Sequence, residues 1–517
     1  MIMKSNNFKW LSLLLMTAIM LPMSSCKKEE PILQDPAISI VGENSTFKKP
    51  GEAIEVPLQL QGDGGAKAIV VRQNGGFLAE LPVNADATSF TYTGQTVNAN
   101  AEEGDIITYS FALLNNQDKE STPVEYTVNV AVYDEITVGG TQLYEVTIPE
   151  TGLVPDGTTV KFAANRNYYI SRSIIFEAGS TFSVAEGVNV YINANASSPV
   201  EVVINGTVNI VGTAESPVVM TSSNLLQPGN TASAGDWIWF RINGTGNGSN
   251  NGRVSYLRIE YGGERAFRLV NVGNGTQIDH VQVYKASGEG IMSTNGNVNL
   301  SYVVTTDCEG GSFRLGDAYS GSMQYVLAVS SEYFDELDDF QIREDASPTI
   351  SNLTVLGPGS DVDNTHGIRM RANSAGKIYN AIVAGFPRRG VRGNDNIVIT
   401  DLNGPSVFAY SYVIDVPTDP YRDLAVPFAG IFDDVSGARL LNPFFNNASA
   451  RVAGEFTLDT IDGIGGSSFI PAARKDSAFN PTSLGSFFQN GNFVGAISDA
   501  SNDWTRGWVK NPDGSIR

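Results

Sequence analysis

Cysteine and histidine are almost missing from this chain, with two of each among 517 residues. Two cysteines cannot build a disulfide framework. A reactive cysteine would need a nearby base, and His280 and His366 are the only histidines; Cys308, beside a strand pattern, therefore reads as a small buried residue. Basic residues are scarce too. Lys and Arg number 34 against 55 Asp and Glu, for a formal net charge of −21. A surface of that sign repels polyanions overall, so nucleic acid is not an expected partner. Beyond the first thirty residues no run is apolar enough to cross a membrane, and no long segment has the 3.6-residue period of an amphipathic helix. Glycine, by contrast, is plentiful at 53 residues, in a chain that is 42% hydrophobic and only 17% charged. That mixture suits many short strands joined by tight turns. The length implies two or three domains.

The N-terminus opens with Lys4 and Lys9 before an apolar run, Trp10 to Met20, that is too short to span a bilayer. Leu21-Pro22-Met23-Ser24-Ser25-Cys26 follows and resembles the lipobox of bacterial lipoproteins, with Met23 in place of the usual Leu. The resemblance implies that residues 1–25 are a removed signal peptide and that Cys26 carries lipid. Residues 26–35 would then be a tether. Lys27-Lys28-Glu29-Glu30 resembles a surface-export signal of some Gram-negative lipoproteins. The expected location is the outer membrane, cell-surface exposed, with membrane contact through the lipid anchor alone.

Residues 36–134 show about seven short alternating segments, among them Ile54 to Leu60 and Ile106 to Leu113, separated by Gly, Asn and Asp turns. This pattern fits an immunoglobulin-like β-sandwich. It resembles the Ig-like modules that stand as spacers behind a lipid anchor.

From residue 135 to the end the pattern becomes a solenoid. Val254, Ile278, Leu300, Met323, Ile350 and Ile378 begin six segments that align without gaps. A second set, centred on Phe267, Ile291, Phe313, Phe340, Ile368 and Val391, follows each at a similar interval. Two registered sets at one period mark coils that bury their apolar residues by stacking. Two residues after each first-set start stand Tyr256, His280, Tyr302, Tyr325, Asn352 and Asn380. Asn suits a tight left-handed bend and can bond along a stack. Asn352 and Asn380 resemble the asparagine ladder of pectate-lyase-like β-helices. The expected fold class is thus all-β: an N-terminal Ig-like β-sandwich, then a right-handed single-stranded parallel β-helix with an irregular C-terminal cap. Trp504 and Trp508 are expected to pack as a lid over the open end of the shaft.

In pectate-lyase-like helices the ligand lies along the outward face of the sheet after the ladder bend, where the second set falls. Strict alternation assigns Ala266, Gly290, Ser312, Asp339, Gly367 and Gly390 to that face, one residue before each set member, and Arg268, Met292, Arg314, Gln341, Arg369 and Arg392 one residue after. Arg343 and Arg371 lie two further on. The candidate ligand-binding residues are Arg314, Arg343, Arg369, Arg371, Arg392 and Asp339. Guanidinium forks suit carboxylate and sulfate, so an anionic polysaccharide is one expected ligand and a surface protein another. The plainer alternative is a solvated face whose arginines pair with acids in the segment Ser331 to Asp338.

Catalytic residues are not assigned. A lyase needs a cation site and a base, and a hydrolase a carboxylate pair; this face offers one acid, Asp339. The characteristic aspartate and Gly-His-Gly motifs of polygalacturonases are absent. Asp361-Val362-Asp363-Asn364-Thr365-His366-Gly367 is dense in oxygen ligands for Ca²⁺, yet matches no full EF-type loop and reads as a solvated turn; no cofactor is expected. His366 could pair with Asp339 or Asp363 as a base. The leading expectation is a non-catalytic surface protein that binds glycan or another extracellular partner. The alternatives are a lyase or hydrolase of anionic polysaccharide, and a structural adhesin component.

Overall fold

A computed structural model describes residues 35–62, 64–332, 334, 338–358, 365–371, 373–386, 388–394, 404–414, 416, 419–422, 478–498 and 500–517. The leader, Cys26 and all of the tether but its last residue lie outside them, as do Asp361 to Asn364. Among the described residues the regular elements are strands and three short 3-10 turns, and no helix is long and apolar enough to cross a membrane.

The chain divides into two compact units. The first comprises the described residues up to Thr46, Ile54–Gly94 and Ile107–Thr127; the second takes Phe47–Ala53, Gln95–Ile106 and everything from Val128. The first unit is built on a three-stranded and a five-stranded sheet with antiparallel pairings. Alternation sets their inner faces. Ile54, Val56, Leu58 and Leu60 are buried while their neighbours along the strand are exposed. Tyr92 meets Phe111 at 5.1 Å and Tyr109 at 5.6 Å across the two sheets.

The second unit is a right-handed parallel β-solenoid, the hand that crossovers between parallel strands adopt. Among the described residues one sheet has 11 strands and the other 16. The two apolar sets of the sequence are two continuous inward columns. Val254, Ile278, Leu300, Met323, Ile350 and Ile378 are Cα partners in turn. So are Phe267, Ile291, Phe313, Phe340, Ile368 and Val391. None of these residues is more than 2% exposed, and each such burial stabilises by roughly 1.5–3 kcal/mol. At the N-terminal edge Thr141–Glu145 pairs parallel with Asn167–Ile170 and antiparallel with Asp134–Val138, a hairpin that ends the stack.

The bend residues Tyr256, His280, Tyr302, Tyr325, Asn352 and Asn380 all have φ between 51° and 59°. Such a backbone disfavours bulky residues, and ring stacking supplies the compensation. Tyr256 stacks on His280 at 4.1 Å, His280 on Tyr302 at 4.5 Å, and Tyr302 on Tyr325 at 4.8 Å. The two asparagines bond mainly outward from the stack. Asn352 Nδ2 donates to Gly491 O at 2.9 Å, and Asn380 Nδ2 to Phe479 O at 2.9 Å.

Those acceptors belong to a C-terminal strap, residues 478–498 and 500–517, and here the expectation of a lid over the shaft's end fails. The strap runs lengthwise. Phe479 meets Asn380, Gln489 meets Gln324, Trp508 meets Tyr256, and Lys510 N donates to Gln282 Oε1 at 2.8 Å. Its apolar side chains Val494, Ala496, Ile497, Trp508 and Val509 form a second core with Val304, Leu327, Val329, Leu356 and Ile382. Those five stand on the outer face of the strand that follows the bend. That face is apolar, and the strap removes it from water.

Candidate functional site

Six parallel strands of the 11-stranded sheet position the candidate site: Arg265–Val270, Glu289–Thr294, Gly311–Gly316, Asp338–Ile342, His366–Met370 and Arg389–Gly393. Directly after the inward column comes an outward one, formed by Arg268, Met292, Arg314, Gln341, Arg369 and Arg392 in strict register. Arg241 precedes Arg268 in the same column. The ladder continues into the turns: Arg343 N donates to Leu315 O and Arg371 N to Ile342 O. The five expected arginines therefore share one face. With strands about 4.8 Å apart, Arg314 to Arg392 spans on the order of 15 Å.

Asp339 does not belong to that face, which corrects the alternation argument. Its carboxyl is fully buried, and Oδ1 accepts from Ser312 N and Ser330 Oγ, both at 3.1 Å. The cause is a bend at the strand start. Glu289 pairs with Gly311 and Ile291 with Phe313, whereas Gly290 and Ser312 have no Cα pairing; Asp338 pairs with His366 and Phe340 with Ile368 in the same way. The skipped residue turns inward. Ala266 and Ser312 are likewise 0% exposed, and a Cβ on Gly290 would sit 2.7 Å from Cys308 Sγ. Burial pushes the Asp339 carboxyl up to about 7 and the Cys308 thiol up to about 12, so the thiol is inert at neutral pH.

The position before the skipped one faces outward in its place and holds Arg265, Glu289, Gly311, Asp338, His366 and Arg389. Sequence reasoning missed this second column. Arg314 Nη1 donates to Glu289 Oε1 at 2.7 Å, with Arg265 3.7 Å from the other oxygen. Asp338 lies at the centre of a larger network. It pairs with Arg369, lies 3.7 Å from Arg371 Nη2, and accepts from His366 Nδ1 at 2.6 Å. Arg389 Nη1 then meets His366 Nε2 at 2.6 Å. An arginine only donates, so Nε2 accepts and the imidazole proton sits on Nδ1, towards Asp338. His366 thus pairs with Asp338, not with Asp339; Asp363 lies outside the described residues. Burial raises the Asp338 carboxyl, but the hydrogen bonds from His366 and Arg369 outweigh it and hold the group below the usual carboxylate range.

Among the described residues the arginines of this face outnumber its acids, although Arg343 Nε lies 3.4 Å from Glu344 Oε2. Burial, then Arg369 and Arg343, lower the pKa of Arg371. Burial, then Arg241, Arg265 and Arg314, lower that of Arg268. The Arg268 guanidinium lies 5.1 Å from the Trp239 ring centroid. Among the described residues no carboxylate comes within salt-bridge distance of Arg268 or Arg241, and Arg268 Nε is buried without a partner. Of the acidic segment 331–338, Asp335 and Glu336 lie outside the described residues; Asp338 pairs with this face, and Glu332 pairs with Lys285 at 3.1 Å. Among the described residues no group of three or more His, Cys, Asp and Glu is placed to hold a metal ion.

A family model described as a pectate-lyase-like β-helix domain matches residues 152–416. No curated protein matches the chain. Among solved structures, fibronectin(III)-like modules of Clostridium thermocellum CbhA align at 15% identity and a TM-score of 0.15, over 19% of this chain and 47% of theirs. The chain thus spans about half the length of those modules. Pectate lyase Pel3 from Pectobacterium carotovorum aligns at 10% identity and a TM-score of 0.11, over 67% of this chain and 90% of that one. Both likenesses are too weak to bear on mechanism.

Proposed function

The chain belongs to the pectate-lyase-like β-helix family, and from that premise we propose that it is a lipid-anchored surface protein that binds an anionic glycan along its arginine face without cleaving it. The observation that carries the reading is the register of Arg241, Arg268, Arg314, Arg369 and Arg392 in one outward column. Arg343 and Arg371 flank it, and among the described residues no carboxylate comes within salt-bridge distance of Arg241 or Arg268. Holding like charges together costs free energy unless a partner of opposite sign is supplied. Carboxylates repeated along a polymer supply it, and guanidinium forks bind them bidentately. The reading without catalysis rests on His366, whose two ring nitrogens are both engaged, leaving no lone pair for a proton. Cys26 carries the anchor, and the first unit is an Ig-like spacer that holds the solenoid away from an outer membrane.

One observation favours a second reading. Asp338 fixes the His366 tautomer, so if a ligand carboxylate draws Arg389 away, Nε2 becomes a free base. That base then takes the proton from the carbon bearing the uronate carboxylate; the C–H pair becomes the C=C bond as the glycosidic C–O bond on the neighbouring carbon breaks, and the departing oxygen takes a proton from water.

The test is retention of the full-length protein in detergent on polygalacturonate, alginate and heparin gels, with ultraviolet absorbance of the eluate followed with and without Ca²⁺. Retention without new absorbance is expected. Arg369→Ala with Arg392→Ala should weaken it by about tenfold or more, since each removes hydrogen bonds to a charged group. A wild-type protein that passes through all three gels would overturn the binding reading; unsaturated product would replace it with the lyase.

A further inference from the structure

The arginine face leaves unused an aromatic cleft on the bend side of the coils. Tyr302 and Tyr325 form its floor, and Phe493 and Trp504 of the strap form two walls. Its volume is about 500 Å³, enough for a sugar ring or two. The two tryptophans of the C-terminal segment separate here. Trp508 is fully buried and serves packing, whereas Trp504 is only partly buried and lines the cleft.

Trp504 is held in place for contact. Its Nε1 donates to Ala496 O at 2.9 Å, which fixes the plane of the indole. Its ring lies 73° to that of Tyr302 at 5.4 Å and 81° to that of His280 at 6.4 Å. The faces of His280 and Tyr302 are already taken by their neighbours in the stack. Their edges must therefore meet one face of Trp504. Asn490 lines the cleft with an exposed amide. Asp503, the charged residue of the lining among the described residues, is spoken for: its carboxylate pairs with Arg517 and accepts from Thr505 N and Oγ1. Among the described residues the cleft thus offers a rigid indole and polar side chains without spare charge.

We propose that this cleft binds an uncharged pyranose ring of a glycan. The C–H face of a pyranose packs on an indole, and its hydroxyls suit neutral amides and hydroxyl groups. The site is independent of the arginine face and takes a different ligand chemistry, which lets the two be separated by salt. Attraction of anions weakens as ionic strength rises, while contact with an uncharged ring does not.

The experiment applies full-length protein to gels of soluble galactan, galactomannan, xyloglucan and laminarin at about 0.05 and 0.5 M NaCl, a range that screens exposed charges. At least one gel should retain it equally at both salts. Trp504→Ala should reduce that retention about tenfold or more, and Asn490→Ala, which changes an exposed amide, several-fold with an unaltered melting temperature. Arg369→Ala with Arg392→Ala should leave it intact. If no neutral polysaccharide retains the wild-type protein, or if retention survives both Trp504→Ala and Asn490→Ala, the proposal is overturned and the arginine reading stands untouched. Should Trp504→Ala loosen the strap, Asn490→Ala alone decides.

Discussion

Asp339 illustrates how a single residue reports on the whole shaft. Its carboxyl is enclosed with Ser312 and Ser330, and Oδ2 has no partner. Burial lifts it to about 7 from an ordinary value near 4. The folded chain therefore holds a proton that the unfolded chain gives up. Stability from this group is complete below about pH 4 and falls as pH rises through about 7. Asp339→Asn keeps the acceptor and cannot ionise. The variant should match the wild type in thermal unfolding near pH 4 and melt several degrees higher near pH 8. An equal difference at both pH values would show that Asp339 is not protonated in the fold. The sequence did contain a sign of this environment. The other residues of the column are Ala266, Gly290, Ser312, Gly367 and Gly390, all small, as crowding at an inward bend requires. Strict alternation hid the sign, because a skipped pairing is a feature of backbone geometry that hydropathy does not encode. The same one-residue slip concealed Glu289 and the outward register that Asp338 and Arg389 share with it. The arginine columns after the inward position were legible because alternation resumes there.

At the scale of elements, the coils could be read from the sequence and the strap could not. Each coil is announced by its own apolar residues at a fixed period, whereas strap contacts join residues as far apart as Lys510 and Gln282. A hint lay in the outward positions after the bend. Early coils place Arg258, Glu260 and Gln282 there, and later coils Val304, Leu327 and Ile382. The strap matches them in reverse order. Lys510 meets Glu260 and Gln282, and Val494, Ala496 and Ile497 meet the apolar stretch. Trp508 is the pin: it is fully buried, edge-on to Tyr256 and His280, and donates Nε1 to Trp504 O at 2.8 Å. Trp508→Ala should cost roughly 3–5 kcal/mol. Limited proteolysis should then cut the strap well before the coils, because it exposes a local unit first. Simultaneous loss of strap and coils would mean that the shaft cannot stand without its cover.

At the scale of the whole molecule, the formal charge of −21 and the arginine face act on a polyanion in opposite directions. Distant acids repel it through solvent, while the arginines attract it at contact. The two forces differ in range, and salt separates them. At about 0.01 M the Debye length is near 30 Å, so the acids of the whole surface are felt. At about 0.15 M it is near 8 Å, and only the charges under the ligand count. At about 1 M, near 3 Å, the contacts themselves weaken. Affinity for polygalacturonate should therefore pass through a maximum near physiological ionic strength. A uniformly basic protein would instead bind most tightly at the lowest salt. Arg369→Ala with Arg392→Ala should lower the maximum without removing the rise at low salt, because the distant acids are unchanged. Titration by isothermal calorimetry across that salt range would decide the matter, and a steady decline from the lowest salt upward would show that the face does not work against the charge of the rest of the chain.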